Sequence, residues 1–307
     1  VKENNWLGKG VTLSAAAEVS EESVRGSLSY TDPDYNFTGK ELSYFLKNVQ
    51  NDKKSSGYEN TVIGGGVGLS YERFKDIYFS PGLSLTYDDL TTDDTASALL
   101  KKQSGSSTDL MFDYALSSDK RDRRFMPTGG YLTSFFQEVP LYAEQPHLKN
   151  NFSTNHYKEF NEDLIGALKF GVTSINGLGD EDVRVSKRLG LSSNKLRGFE
   201  PGKVGPKDGD DFIGGNYTTS LNLEANFPNF FPEKSNAEIG LFLDAGNVWG
   251  VDYSDTIDDS NKLRSTFGVN TSWLSPAGPL SFVFSKNISK ASTDVDQSFN
   301  FRLGTTF

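Results

Sequence analysis

The chain has 307 residues, with 41 acidic and 31 basic side chains, a formal net charge of −10, two histidines and no cysteine. The absence of cysteine excludes disulfides, thiolate metal sites and a cysteine nucleophile, and the acidic balance argues against nucleic acid as a partner. The sequence contains no apolar run of about 18 residues, which excludes membrane-spanning helices but not a membrane β-barrel, whose strands carry lipid-facing residues only at alternate positions.

Apolar and polar residues alternate with a period of two along most of the chain, whereas the longer period of an amphipathic helix is nearly absent. The alternation predicts about 14 β-strands. In chain order they lie near residues 10–20, 22–31, 40–52, 58–71, 76–88, 106–118, 130–140, 152–161, 164–176, 212–227, 237–249, 263–275, 279–290 and 296–307. The strand at 152–161 has the least regular pattern.

The connections between these strands alternate between short and long. Tight turns are predicted at residues 32–36, 72–76 and 276–279, and long polar loops at 88–105, 141–151, 178–211 and 250–262. A soluble β-sandwich would bury the apolar faces between two sheets. An outer-membrane barrel turns them toward lipid and has short turns at one end and long loops at the other. The connections therefore favour a barrel.

Aromatic residues near the strand ends also favour a membrane barrel, because aromatic side chains are enriched at the membrane interface. They are Trp6, Tyr35, Phe37, Phe230, Phe231, Trp249 and Trp273. The pattern as a whole predicts an all-β fold, a transmembrane antiparallel β-barrel.

One long loop, residues 196–216, carries three short motifs in order. They are Arg197-Gly198-Phe199, Gly205-Pro206 and Gly214-Gly215-Asn216. The loop resembles the long sixth extracellular loop of the BamA-like outer-membrane assembly barrels, the bacterial surface-antigen family of Gram-negative bacteria. Four further segments resemble that family along the chain: residues 5–8, 119–130, 242–249 and 275–280, with the terminal Phe307. The resemblance thus covers the whole chain.

The resemblance implies a domain organisation. Residues 1–307 would be the C-terminal transmembrane β-barrel domain, about 14 strands of an expected 16-stranded barrel, with the long loop folded into the lumen. The family's first strands and its periplasmic POTRA repeats would lie outside this sequence, because only residues 1–3 precede the first family motif.

Strand parity gives the loop a physical role. Glu224 shares a face with Ser220 and Asn222, and Asp244 with Gly246, so both carboxylates are expected to point into the lumen. Two carboxylates on neighbouring strands repel each other and favour a nearby cation. Arg197 can supply a planar guanidinium to one or both, and Gly198 would let the loop backbone approach the wall. The alternative is an exposed loop with an ordinary arginine.

The resemblance also implies a function. The protein would insert and fold β-barrel proteins in the outer membrane by lateral opening and strand pairing, with outer-membrane lipid, unfolded substrates and periplasmic accessory lipoproteins as partners. The gate would lie at the closing strand, through Phe299, Phe301, Leu303, Gly304 and Phe307. Alternatives are a transporter of the same superfamily, of the two-partner secretion or TamA type, or a passive porin. Neither a cofactor nor a metal is expected.

Catalysis has little support in the sequence. His147 lies beside a proline in a predicted loop, and His156 lies in the least regular strand, without a recognisable partner for nucleophilic chemistry. The glycine run at 63–68 lacks the following helix of a nucleotide-binding loop. The acidic run at 208–211 lacks the ligand spacing of a calcium loop. We therefore expect a protein that is not an enzyme.

Overall fold

The computed structural model describes residues 1–20, 22–124, 126–232, 237–258, 261–275 and 278–303. Within these ranges fifteen strands form one antiparallel sheet, and two more form a small hairpin. In chain order the strands are β1 (Lys2–Glu3), β2 (Thr12–Val19), β3 (Ser23–Asp32), β4 (Glu41–Lys53), β5 (Tyr58–Phe74), β6 (Ile77–Thr92), β7 (Gly105–Asp119), β8 (Gly130–Ala143), β9 (His147–Asn161), β10 (Leu164–Gly177), β11 (Lys207–Asp208), β12 (Asp211–Phe212), β13 (Tyr217–Phe227), β14 (Ala237–Trp249), β15 (Arg264–Ser275), β16 (Gly278–Ser289) and β17 (Phe299–Leu303).

Helical structure is limited to single turns. The α-helix α1 spans Ala98–Lys101, and 3-10 turns lie at Trp6–Gly8, Tyr35–Phe37, Lys54–Ser56 and Val185–Lys187. None of the helices in the described ranges is long and apolar enough to cross a membrane.

Each strand of the large sheet pairs with its neighbour in the chain, so the sheet is an up-and-down meander. The longest interruption is the connection between β10 and β13, residues 178–216, which we call the lumen loop and which contains the hairpin β11–β12. β10 and β13 nevertheless pair directly, from Ile165 opposite Asn226 to Ser174 opposite Tyr217. We call the end of the barrel with this loop the loop end, and the opposite end the turn end.

The sheet curves around the lumen loop. Loop residue Lys187 forms an ion pair with Asp109 on β7, while loop residue Arg197 forms an ion pair with Asp244 on β14. One loop that touches strands so far apart in the sheet order requires the sheet to wrap around it. The barrel predicted from the sequence is therefore confirmed.

All fourteen predicted strands correspond to observed strands, but several boundaries were wrong. The strand predicted at 296–307 begins only at Phe299, because the residues before it pair with the lumen loop, and residues 304–307 lie outside the described residues. The two-residue β1 was missed. Residues 141–151 are not a long loop, because β8 continues to Ala143 and β9 begins at His147. The segment predicted at 212–227 enters the sheet only at Tyr217. The start of β9 carries few apolar side chains and so shows no alternation, although backbone pairing with β10 continues to His147 opposite Gly177.

Polar and apolar residues occupy the surfaces opposite to those of a soluble protein. On β13, Ser220 and Asn222 are each 3% exposed, whereas Leu221 and Leu223 are 38% and 40% exposed. Large outward-facing apolar residues recur on other strands at Leu46, Ile63, Leu85, Leu168, Leu241, Phe267, Phe284 and Phe299. An apolar exterior around a polar interior suits a lipid-facing barrel and excludes the sandwich, which would bury the apolar faces.

Most of the predicted aromatic girdle lies at the turn end and is exposed, with Trp6 and Tyr35 each at 41%, Phe37 at 96% and Phe230 at 65%. Two turns there share one geometry. Asn5 Oδ1 accepts from the Gly10 amide at 2.7 Å, and Asp34 Oδ1 accepts from the Gly39 amide at the same distance. The aromatic side chains are thus held outward at the level of an interface.

The closing strand β17 is described from Phe299 to Leu303. Its pairing with β16 runs from Leu303 opposite Leu280 to Phe299 opposite Phe284. Phe299 and Phe301 point outward, 50% and 49% exposed, and their rings pack on Phe284 and Phe282 with centroids 4.9 and 5.0 Å apart. Of the other predicted gate residues, Leu303 is described only by its backbone pairing, and Gly304 and Phe307 lie outside the described residues.

A charge on the outer face of the last hairpin should be far more damaging than one on the inner face. Phe282→Arg should cost about 2–4 kcal/mol of folding free energy if the residue lies near the bilayer midplane, whereas Ser281→Arg should cost much less because Ser281 lines the wet lumen. The fraction of heat-resistant barrel on a semi-native gel, followed through urea unfolding in lipid, measures both. Equal losses would contradict the inside–outside assignment.

Candidate functional site

The lumen loop is bound to the β6–β7 wall by hydroxyl and charged groups. Ser186 Oγ donates to Asp88 Oδ2 at 2.6 Å, and Lys187 Nζ lies 2.8 Å from Asp109 Oδ2. Asp88 and Asp109 are 0% and 2% exposed, so each carboxylate needs a partner inside the barrel. Asp88 also accepts from Asn60 Nδ2 at 2.7 Å. These contacts hold the first half of the loop within the sheet.

Arg197 lies between the two carboxylates that parity placed in the lumen. Its Nε and Nη2 donate to Asp244 Oδ2 and Oδ1 at 2.7 and 2.6 Å, which is the planar two-point pairing that guanidinium groups favour. Nη2 also lies 2.9 Å from Glu224 Oε1, and the Arg197 backbone N–H donates to Asp244 Oδ2 at 3.1 Å. The three side chains are each less than 10% exposed. The structure thus brings together the residues predicted to form a clamp.

Two further side chains complete this site. Lys169 on β10 lies 2.7 Å from Glu224 Oε2, so two cations face the two carboxylates. The guanidinium carbon of Arg197 also lies 3.7 Å from the centre of the Phe242 ring, a cation–π contact. Lys169 was not predicted from the sequence, although it occupies an inward position of β10. It lies 55 residues from Glu224 in the chain, and nothing in that spacing indicates that the two side chains meet.

Gly198 brings the loop backbone against the β15–β16 wall. Its φ is +89°, a conformation that L side chains rarely adopt, and a Cβ there would lie 2.7 Å from Thr266 Oγ1 and 2.6 Å from Asn287 Oδ1. Glycine is therefore required twice at this position, once for the backbone angle and once for the close approach.

Phe199 anchors a small apolar cluster inside the lumen. It is 2% exposed and packs with Leu191, Leu196, Val204 and Val248. Burying these side chains together stabilises the loop. A second apolar cluster joins the loop residues Val185 and Ile213 to β6 and α1. Gly205 supports the packing around Phe199, because a Cβ at Gly205 would lie 2.9 Å from the Val248 side chain. Pro206, the second residue of that motif, is fully buried.

The third motif returns the loop to the sheet. The Gly215 and Leu189 backbones exchange hydrogen bonds of 2.9 and 2.8 Å, and a Cβ on Gly214 would lie 2.7 Å from the Leu189 carbonyl oxygen. Asn216 is 5% exposed. Its side chain donates to Asp252 Oδ2 at 2.8 Å and accepts from Arg188 Nη1 at 2.8 Å. All three motifs are therefore parts of one folded loop.

Arg188 and Asp252 form an ion pair. It was not predicted from the sequence, because both residues lie in loops without periodic spacing. Burial raises the pKa of Asp252, but Arg188 and the donors Val183 N–H and Asn216 lower it more, so its pKa lies below the ordinary value. Arg188 also stacks on Tyr253, 4.9 Å from the ring centre. The β14–β15 connection is thereby tied to the lumen loop.

A cavity of about 1070 Å³ lies in the lumen beside the Arg197 site and extends toward the turn end. Its polar lining includes Arg121, Arg124, Lys195, Glu238 and Arg302. The described residues contain no cluster of three or more His, Asp or Glu able to hold a metal. His147 faces Glu138 Oε1 at 3.3 Å, and His156 stacks on Tyr131. The lining therefore makes this part of the lumen polar and charged.

Comparisons with known proteins agree with this architecture. The model of the Omp85 superfamily domain matches residues 5–307. The outer membrane protein assembly factor BamA of Neisseria meningitidis serogroup B is 28% identical over 100% of this chain and 44% of its own length. The chain spans less than half the length of the curated relatives it matches first.

Solved structures show the same fold. The crystal structure of BamA from Haemophilus ducreyi lacking POTRA domains 1–3 superposes with a TM-score of 0.85 at 24% identity, over 98% of this chain and 65% of that one. CdiB from Escherichia coli superposes with a TM-score of 0.61 at 13% identity, over 98% of this chain and 57% of that one. At these identities the likeness establishes the fold alone.

Removing the guanidinium should destabilise the barrel without changing its topology. Arg197→Ala leaves Asp244 buried without its main partner, and breaking a buried pair costs about 3–5 kcal/mol, less where lumen water reaches the site. Arg197→Lys keeps the charge but loses the two-point pairing, so this variant should lose less folding free energy than Arg197→Ala. Urea unfolding of the purified barrel in lipid measures each loss. An unchanged midpoint for Arg197→Ala would contradict the clamp.

The close approach of Gly198 can be separated from its backbone angle. Gly198→Ala should cost about 1–2 kcal/mol for the positive φ and about 1–3 kcal/mol more for overlap with the wall. Gly202→Ala is the matched control, because Gly202 has a φ of +76° and nothing within 4 Å of a Cβ. The same unfolding measurement compares the two variants. Equal losses would show that wall contact adds nothing.

Proposed function

The chain belongs to the Omp85 superfamily, and we propose that, as the barrel domain of a longer outer-membrane protein, it inserts and folds β-barrel proteins in that membrane. The observation that carries the proposal is the combination of a closing strand whose pairing with β16 begins only at Phe299 with a lumen loop anchored to the inner wall. Lateral insertion needs a seam that opens while the rest of the barrel stays rigid. The proposed role involves no bond-making or bond-breaking chemistry.

The proposed gate is the free edge of the closing strand, which faces the first strand of the barrel. Within the described residues, β17 is the last strand of the sheet and pairs only with β16. A substrate strand can replace edge hydrogen bonds by β-augmentation. The driving force is then strand pairing inside the bilayer, where each unsatisfied backbone group costs several kcal/mol. The outward rings of Phe299 and Phe301 keep the closing strand in contact with lipid while its edge is exchanged.

The filled lumen argues against a passive porin. Arg197, Phe199 and their neighbours occupy the interior at the loop end, where a porin would need an open channel. The remaining cavity opens toward the turn end, the side on which unfolded substrates and accessory lipoproteins would meet the barrel. We propose these partners together with a gate, which the closing strand forms through residues 299–307.

The proposal is tested with the full-length protein reconstituted in lipid vesicles. A small urea-unfolded barrel protein is diluted into these vesicles, and its folding is followed by the appearance of its heat-resistant form. We expect at least about tenfold faster folding than in empty vesicles, equivalent to about 1.4 kcal/mol of activation free energy. A reconstituted porin is the control for bilayer disturbance.

Ion conductance across a planar bilayer separates the alternatives. Low, intermittent conductance together with accelerated folding supports assembly. Stable high conductance without acceleration would indicate a porin, and secretion of a soluble polypeptide without acceleration would indicate a superfamily transporter. Either result would reject the proposed function.

A further inference from the structure

The chain leaves the sheet just before the closing strand. We call residues 294–298 the lead-in segment. Pairing between β16 and β17 ends at Phe284 opposite Phe299, and one more hydrogen bond follows, from Ser285 N–H to the Ser298 carbonyl oxygen at 2.9 Å. Beyond it the lead-in segment turns away from β16 and into the lumen.

The lumen loop takes over the backbone of this segment. The Gln297 amide donates to the Gly198 carbonyl at 3.0 Å, and the Glu200 amide donates to the Val295 carbonyl at 3.0 Å. The Val295 amide donates to the Lys203 carbonyl at 3.2 Å. Phe199 and Asp296 stand opposite each other as an antiparallel bridge. The residues that follow Arg197 therefore act as a short partner strand for the lead-in segment.

A fully buried ion pair fixes the start of the segment. Arg264 Nε and Nη2 lie 2.9 and 3.0 Å from Asp294 Oδ2 and Oδ1, and both side chains are 0% exposed. Arg264 Nη1 also donates to Asn247 Oδ1 on β14 at 2.5 Å. Asp294 in turn accepts from the Ala291 amide at 2.6 Å. Asp294 cannot leave Arg264 without losing the two-point pairing that compensates its buried charge, so the pair holds the segment in one position.

The segment also has a second possible partner. Continuing the register of β16 and β17 places Asp296 opposite Asn287 and Val295 opposite Ile288. Asn287 Nδ2 already donates to Asp296 Oδ1 at 2.8 Å. By parity Val295 would then lie on the outer face with Ile288, which is 59% exposed. The register of β16 and β17 can thus continue through the lead-in segment without a shift, although the structure pairs this segment with the loop.

We propose that the lead-in segment exchanges between the lumen loop and β16, and that Arg264 and Asp294 are the positioning residues that hold it on the loop. While the pair is intact, the closing strand begins only at Phe299 and the lead-in segment stays off the sheet. Release of the pair lets the segment extend β17 along β16. The segment makes similar backbone hydrogen bonds to the loop and to β16, so the buried Arg264–Asp294 pair determines which of the two states is favoured. This inference rests on the proposed function, in which the closing strand forms the gate.

The exchange can be followed with one engineered disulfide, because the chain has no cysteine. Ile288→Cys with Val295→Cys reports the extended state. The two residues would be a non-hydrogen-bonded antiparallel pair, with Cα atoms about 4.5 Å apart, within the range that a disulfide needs. Bridging under mild oxidant is measured on the full-length protein in lipid vesicles without substrate. The readout therefore does not depend on whether the protein inserts other barrels.

In this background Asp294→Asn should raise the rate of bridging at least fivefold, because the amide no longer balances the Arg264 charge. Arg264→Lys keeps a cation but loses the two-point pairing and should give a smaller rise. The matched control is Asp76→Asn, which removes an ion pair with Lys120 at the turn end, 2.5 Å long and away from the seam. Asparagine tolerates the positive φ of 63° at that position.

Variants are compared only in their heat-resistant, folded fraction, so a general loss of folding does not count as release. A rise for Asp294→Asn with no change for Asp76→Asn supports the exchange. An unchanged rate for both Asp294→Asn and Arg264→Lys, or an equal rise in Asp76→Asn, would overturn it. If the rise occurs but the bridged protein still accelerates substrate folding fully, the exchange holds and the gate of the proposed function fails.

Discussion

The organisation of this barrel depends on two carboxylates that face the same interior. Asp244 and Glu224 lie on adjacent strands with almost no exposure, and without a cation they would repel each other. Lys169 pairs with Glu224 from the wall, whereas the guanidinium of Arg197 reaches both carboxylates from a loop. A loop that supplies this charge must enter the lumen and stay there. The position of the loop, and of everything it contacts, follows from this requirement.

The interior is stabilised differently from that of a soluble protein. Apolar side chains face outward, so the hydrophobic effect acts between protein and lipid, and the lumen is left to ion pairs and hydrogen bonds. Such groups are directional and each needs a specific partner. That explains why the loop binds the wall at several separate places, through Lys187, Arg197 and Asn216, with two small apolar clusters, one around Phe199 and one that includes Val185 and Ile213.

Loop and seam form one continuous structure. Gly198 lies against the β15–β16 wall and its carbonyl accepts from Gln297, just ahead of the closing strand. Any movement of the lumen loop would therefore act directly on the segment that leads into the closing strand β17. This arrangement gives the Arg-Gly-Phe motif a mechanical meaning beyond charge balance, because the same three residues neutralise the wall and pair with the lead-in segment.

The sequence by itself determined the all-β class, the fourteen principal strands and the inward face of Glu224 and Asp244. These features follow from local alternation, because a strand's period of two fixes the face of each residue without knowledge of its neighbours. Only the tertiary structure decided the partners of Lys169, Arg188 and Arg264, and the departure of residues 294–298 from the sheet. Those pairings join residues far apart in the chain. The register of the lead-in segment allows it to pair with either the lumen loop or β16. The choice lies in a buried ion pair, which leaves no periodic trace in the sequence.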